Sequence, residues 1–240
     1  MNTIEPTIAE RPAAAGRQRN DMDAALLSLI PPLLGAGVGL ALVIATGAFL
    51  LGRQDAVGAI VAALAGPHSA WYLSRASAFA AYALLWWSMV WGVTISNRMA
   101  RVWPGGPTAG DLHEHASLLG LGFSVLHALV LLGDSYIGYT PAQILIPFAG
   151  DSYRPLWVGV GQISIYLMAL VTVTFYMRRW LGRRTWRVIH YASYAAFALA
   201  LAHGLLSGTD SAAPWAFWSY AGSSAILVGL TVYRVLTARR

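Results

Sequence analysis

The chain has 240 residues, 57% hydrophobic and 11% charged, with a mean hydropathy of +0.56 and a formal charge of +6. Soluble domains carry roughly a quarter charged residues, so this composition predicts an all-α membrane protein and argues against a soluble globular one. The positive charge is no nucleic-acid footprint, because all 16 basic residues are arginine and gather at the ends of apolar runs; the lack of cysteine excludes disulfides, thiolate metal sites and iron–sulfur ligation by this chain.

Residues 1–22 are polar and rich in Pro, Ala and Arg, and read as a mobile cytoplasmic tail. Residues 23–237 read as a six-helix transmembrane domain. Its first apolar run, Ala24–Gly52, is too long for a signal-peptide core, and is predicted to span with a kink at Pro31–Pro32 and close helix contact at Gly35, Gly37 and Gly39. Ala56–Gly66 is too short to span and reads as interfacial. Five further spans are expected at about Ala76–Ser96, Leu112–Gly133, Leu156–Met177, Val188–Ser207 and Trp215–Leu236. Between the third and fourth, Thr140–Gly150 has a Thr N-cap followed by Pro, which predicts a half-helix on the membrane surface. Six spans with short loops leave no room for a soluble catalytic domain.

Arginine placement sets the expected orientation. With both termini cytoplasmic, the inside segments hold thirteen arginines, among them Arg98, Arg101, Arg178, Arg179, Arg183, Arg184 and Arg187. The outside segments hold only Arg53, Arg75 and Arg154. That bias predicts a multi-pass protein of the cell membrane in which the first, third and fifth spans run from inside to outside.

The third span, DLHEHASLLGLGFSVLHALVLLG, carries His113, His115 and His127. Ionisable side chains at membrane depth are costly and mark function by default. His113 and His127 lie 14 residues apart, roughly 21 Å and close to four turns, so both face nearly one side. The fifth span, WRVIHYASYAAFALALAHGLLSG, answers with His190 near its inside end and His203 near its outside end. Because the two spans run the same way, His113 can meet His190 at one level and His127 can meet His203 at another. Two facing imidazoles at each of two levels suit bis-histidine ligation of two haem irons.

The spacing of 13 on the fifth span leaves His190 and His203 roughly 140° apart on an ideal helix, so a tightening, a bend or laterally offset haems must absorb the difference. Gly120 and Gly122, and Ala192, Ala195, Ala196, Ala198, Ala200 and Ala202, offer close backbone approach for a flat macrocycle; ordinary small-residue helix packing explains them equally well. His115 lies about 200° around the helix from His113 and reads as a spare interfacial histidine, and His68 as a solvated loop residue. Trp86, Trp87 and Trp91 read as lipid-facing or core packing.

From Arg75 to Ser207 the chain resembles the ferric reductase-like transmembrane family. That family includes the membrane domains of NADPH oxidases and ferric reductases and the haem-bearing membrane subunit of the periplasmic methionine sulfoxide reductase system. The likeness rests on the 14-residue and 13-residue histidine pairs and on the Arg-rich GRRTWRVIHY before the fifth span. It implies a six-helix bundle with two b-type haems stacked across the membrane, and a family that tolerates the odd spacing. It also implies a role for Arg75 near the outer haem. Arg187, three residues before His190 on the same face, is the candidate partner of inner-haem propionates, ahead of Arg183 and Arg184; topology anchoring explains all three as well.

The chain departs from the family's full reductases in having no dinucleotide fingerprint after the sixth span, so no flavin or nicotinamide site is expected. Electrons are then expected from a separate flavoprotein or a quinol, and are passed to an extracytoplasmic acceptor such as ferric iron, oxygen or a reductase protein. The competing reading, from another class, is a haem-free channel or proton-conducting bundle.

Overall fold

The computed structural model describes residues 65–237. The predicted tail, the first span and nearly all of the interfacial Ala56–Gly66 segment lie outside the described residues. Those described are mostly helical, joined by short turns and loops, with no strand among them. Five helices are long and apolar enough to cross a membrane: Ser69–Ser96, Gly106–Gly133, Pro155–Tyr176, Arg183–Ser207 and Pro214–Thr237.

Helix α1 (Ser69–Ser96) begins seven residues before its expected start at Ala76, so Arg75 sits in its second turn and does not open it. A short 3-10 turn, Met99–Arg101, leads to α2 (Gly106–Val130), extended by a 3-10 turn to Gly133. The expected start at Leu112 is six residues late. Gly105, at φ 105°, makes a turn that L-residues avoid, and Pro107 in the first turn lacks an N–H that the helix does not need there.

The predicted half-helix is shorter than expected. Helix α3 covers only Pro141–Leu145, with the Thr140–Gln143 capping box in place. Ile146 is extended, Pro147 follows, and Phe148 has φ 65°, so the segment cannot continue to Gly150 as helix.

Helix α4 (Pro155–Tyr176) starts on a proline and runs to a one-turn α5 (Arg178–Leu181). Gly182, at φ 80°, then reverses the chain into α6 (Arg183–His190). The fifth span therefore begins at Arg183, five residues before the expected Val188, and it is broken: α7 (Ala192–Ser207) follows a turn at Tyr191. The Tyr191 amide is shared between the Arg187 carbonyl at 3.3 Å and the Val188 carbonyl at 3.2 Å, and the Tyr194 amide donates to the Tyr191 carbonyl at 3.1 Å. These three-residue bonds wind the chain about 120° per residue where an α-helix winds about 100°. The turn tightens the chain between His190 and His203, one of the adjustments the 13-residue spacing demands. Helix α8 (Pro214–Thr237) closes the described chain.

Two antiparallel pairs form the body: α1 packs along α2, and α4 along α7. A core of Leu85, Met89, Met168, Ala196, Phe197 and Leu227 joins α1, α4, α7 and α8, with Leu121 of α2 packed against it. Helix α8 is tied to α1 where the Trp86 indole donates to the Ser223 carbonyl at 2.9 Å and Tyr82 Oη meets Ser223 Oγ at 2.7 Å. The outward faces stay apolar: Leu129, Val173, Val228 and Val232 are all at least half exposed. A contiguous apolar exterior with its backbone bonds satisfied inside helices fits a bilayer and would be an aggregation hazard in water.

Candidate haem-ligand site

Both histidine pairs expected from the sequence are close in space. The His113 and His190 ring centres lie 5.9 Å apart, and those of His127 and His203 lie 6.1 Å apart. The first pair is at the arginine-rich end of the bundle, near the loops that carry Arg98, Arg101, Arg178 and Arg183. The second is at the end that carries Arg75 and Arg154.

Each histidine of α2 is held by α1. His113 Nδ1 lies 2.8 Å from the Ser88 carbonyl and 3.1 Å from Ser88 Oγ. His127 Nδ1 lies 2.9 Å from the Ser74 carbonyl and 2.9 Å from Ser74 Oγ. Ser74 and Ser88 are 14 residues apart, as His113 and His127 are, so the antiparallel pair repeats one contact at two depths. A carbonyl only accepts, which places the proton on Nδ1 and leaves Nε2 with its lone pair. The serine hydroxyls give their own protons to other acceptors and so do not oppose that tautomer. Ser117 Oγ donates to the His113 carbonyl at 2.7 Å and accepts from Ser88 at 2.7 Å, and Ser74 Oγ donates to the His127 carbonyl at 3.3 Å.

His203 of α7 is held in the same way by α4, its Nδ1 donating to the Trp157 carbonyl at 2.8 Å. Gly161, one turn on, makes room for the ring: a Cβ there would lie 2.5 Å from His203 Nδ1. Gly92 of α1 plays a milder form of this role beside His113, where a Cβ would come within 3.3 Å of the ring. The end of α7 is fixed by its final carbonyls, which no intrahelical amide can reach. Tyr153 Oη donates to the Ser207 carbonyl at 2.8 Å, and the Arg154 guanidinium to the Leu206 carbonyl.

His190 differs from the other three. It is the last residue of α6, its Nδ1 is buried, and no group among the described residues hydrogen-bonds that nitrogen. Its near neighbour is the Trp186 indole, with ring centres 5.1 Å apart.

A cavity opens beside the second pair, lined by His127, His203, Ala200, Phe79, Tyr220 and Met168 among others. Arg75 and Asp210 also border it. The Arg75 guanidinium grips both oxygens of the Asp210 carboxylate, with Nε to Oδ2 at 2.7 Å, and its flat face lies 4.2 Å from the centre of the Trp71 ring. The expected role of Arg75 beside an outer haem thus meets a carboxylate already in place, from the loop between α7 and α8. Tyr139 sits just outside the spans in the same wall, and burial raises its phenol above the usual value.

Other sequence candidates fall elsewhere. Arg187, Arg183 and Arg184 are exposed on α6, and Arg187 has no carboxylate partner among the described residues. His115 is exposed and bonds its own helix, Nδ1 to the Asp111 carbonyl at 2.7 Å. His68 is exposed at the start of α1. Gly120 does not border a histidine pair: it is buried against the α1 backbone, where a Cβ would sit 3.4 Å from the Leu85 nitrogen. Gly122 faces open space. Ala196 is core, its carbonyl accepting from Ser164 Oγ at 2.8 Å. Trp91 packs in a buried cluster with Ala100 and Ala109, and Trp87 faces outward. Both are packing residues.

Sequence reasoning missed Ser74, Ser88, Gly92, Gly161 and Asp210. The serines had a readable signal, the same 14-residue step as the histidines they hold. Gly161 and Asp210 had none, because their partners lie on other helices. No protein-family model, curated protein or solved structure matches the chain.

Proposed function

We propose that this chain is a multi-pass membrane electron carrier in which His113 with His190, and His127 with His203, would each hold a b-type haem. The observation that carries this reading is the pair of ring separations. Metal–imidazole bonds of about 2.0–2.1 Å, with ring centres roughly 1.1 Å behind the nitrogens, put two in-line imidazoles about 6.3 Å centre to centre. The distances of 5.9 and 6.1 Å lie within a few tenths of an ångström of that.

Three further features support it. Nδ1 of His113, His127 and His203 donates to a backbone carbonyl, which is how metal-ligating histidines are usually oriented and made more basic. Among the described residues no three His, Cys, Asp or Glu side chains converge. Two imidazoles at each level match the number of protein donors that a haem iron takes beside its macrocycle. The outer pair also opens onto a cavity with largely apolar walls.

When bound, haem supplies one-electron chemistry through its iron. The chain's own part is to hold the four imidazoles, fix the tautomers of His113, His127 and His203, and provide cations near the ends. Arg187 is the proposed partner of inner propionates and Arg75, with its charge shared by Asp210, of the outer group. Electrons enter at the arginine-rich end from a separate flavoprotein or a quinol, and leave at the other for ferric iron, oxygen or a reductase protein. Reduction by a quinol without any flavoprotein would select the second donor.

The test is the haem-to-protein ratio and reduced spectrum of the chain purified after haem-replete expression. Two reducible bis-histidine haems are expected, falling to one in His127→Ala or His203→Ala. Absence of any reducible haem overturns the reading in favour of a haem-free channel or proton-conducting bundle.

A further inference from the structure

Three of the four facing imidazoles share one device, and the fourth lacks it. His113, His127 and His203 each spend Nδ1–H on a backbone carbonyl of a neighbouring helix, at 2.8, 2.9 and 2.8 Å. His190 has a buried Nδ1 with no partner among the described residues.

The cause is in the chain's course. On α7, His203 faces the α4 carbonyl of Trp157, and α7 stays pinned to α4 further down, where Ser164 Oγ donates to the Ala196 carbonyl. The regular helix then ends, at the Tyr191 turn. His190 lies on the far side of that turn, as the last residue of the eight-residue α6, where no α4 carbonyl reaches its ring. The adjacent Trp186 carries only an indole N–H, which is itself buried and unsatisfied. An indole donates and cannot accept, so it offers His190 Nδ1–H nothing.

Two consequences follow for an imidazole acting as a ligand. Without an acceptor at Nδ1, the tautomer that exposes the Nε2 lone pair is not favoured over the other. Without that bond the ring is also less basic and is oriented by packing alone. Such outer bonds are worth about 10- to 100-fold in metal affinity.

We propose that His190 is the exchangeable ligand of the set, so that the inner centre, and not the outer one, opens a coordination position to a small neutral ligand. This rests on the haem reading above and adds an asymmetry to it. His190 would then yield its place to carbon monoxide on a reduced haem more readily than His127 or His203, whose rings are locked at Nδ1.

The experiment is a carbon monoxide titration of the dithionite-reduced, haem-loaded full chain, followed by the Soret band. Two phases of similar amplitude are expected, separated by about 10- to 100-fold in ligand concentration. His127→Ala/His203→Ala, which keeps only the inner pair, should retain the tight phase. His113→Ala/His190→Ala, which keeps only the outer pair, should retain the weak one. A single phase in the unaltered chain overturns the asymmetry, and so does a tight phase that follows the outer pair; both leave the two-haem reading intact. Failure to find any reducible haem overturns both together.

Discussion

Gly161 on α4 leaves the space that the His203 ring on α7 occupies, since a Cβ at that position would come within 2.5 Å of Nδ1. This is tighter than side-chain atoms tolerate, and the crowding atom belongs to a ring already fixed at the Trp157 carbonyl. One glycine thus sets both how closely α4 and α7 approach and where His203 points.

Gly161→Ala should therefore push the ring off its acceptor. The overpacking costs about 1–3 kcal/mol, and the outer haem should be lost while the inner one remains. Gly229→Ala, at a glycine with nothing within 4 Å, is the matched control. The haem-to-protein ratio reads the difference, and an unchanged ratio in Gly161→Ala would remove the glycine from the site.

The acceptors of His113 and His127 are main-chain carbonyls, which a side-chain substitution leaves in place. Ser74→Ala and Ser88→Ala should each retain both haems, with only small shifts in midpoint potential. Loss of the outer haem in Ser74→Ala would mean that the hydroxyl, and not the carbonyl, holds His127.

Asp210 and Arg75 form a two-point ion pair, partly shielded, with side-chain exposures of 19% and 31%. It ties α1 to the loop ahead of α8 at the mouth of the outer cavity. Removing one partner strands the other charge, which costs less here than in a dry core because water still reaches both groups; about 1–2 kcal/mol is reasonable. Asp210→Asn should lower the thermal unfolding midpoint in detergent. Adding Arg75→Met should recover part of the loss, since neither charge is then left alone. If the double variant is as unstable as the sum of the two single ones, the pair has no coupling.

What the sequence made legible follows from periodicity. The apolar runs predicted the spans that the described residues contain, within a few residues at their C-terminal ends. Three of the starts came late: Ser69–Arg75 and Gly106–Asp111 carry polar residues that the apolar runs leave out, and so does Arg183–Arg187, while the other two starts fell within a residue. The histidine pairs were readable because spacing and direction determine which levels meet. Their supports were not: the Trp157 carbonyl, Gly161 and Asp210 act across helix interfaces whose register no local pattern encodes. Gly120 stayed open between a macrocycle and helix packing because a glycine in a span marks a close approach without saying to what, and here it is α1.

Ser164 is the buried link between the two histidine levels on the α4–α7 pair, donating to the Ala196 carbonyl at 2.8 Å with 2% exposure. Losing the hydroxyl removes one interhelical hydrogen bond, worth on average about 0.6 kcal/mol in a membrane bundle, and leaves a carbonyl that is still bonded within its helix. Ser164→Ala should thus lower the thermal midpoint slightly and keep both haems. Ser164→Leu instead puts a bulkier side chain where α4 meets α7, beside the cavity that Ser164 also borders, and should push the two helices apart. Because His203 takes its acceptor from α4 and His113 takes its acceptor from α1, the separation should release the outer haem first. Equal loss of both haems in Ser164→Leu would show that the α4–α7 pair supports the inner level as strongly as the outer.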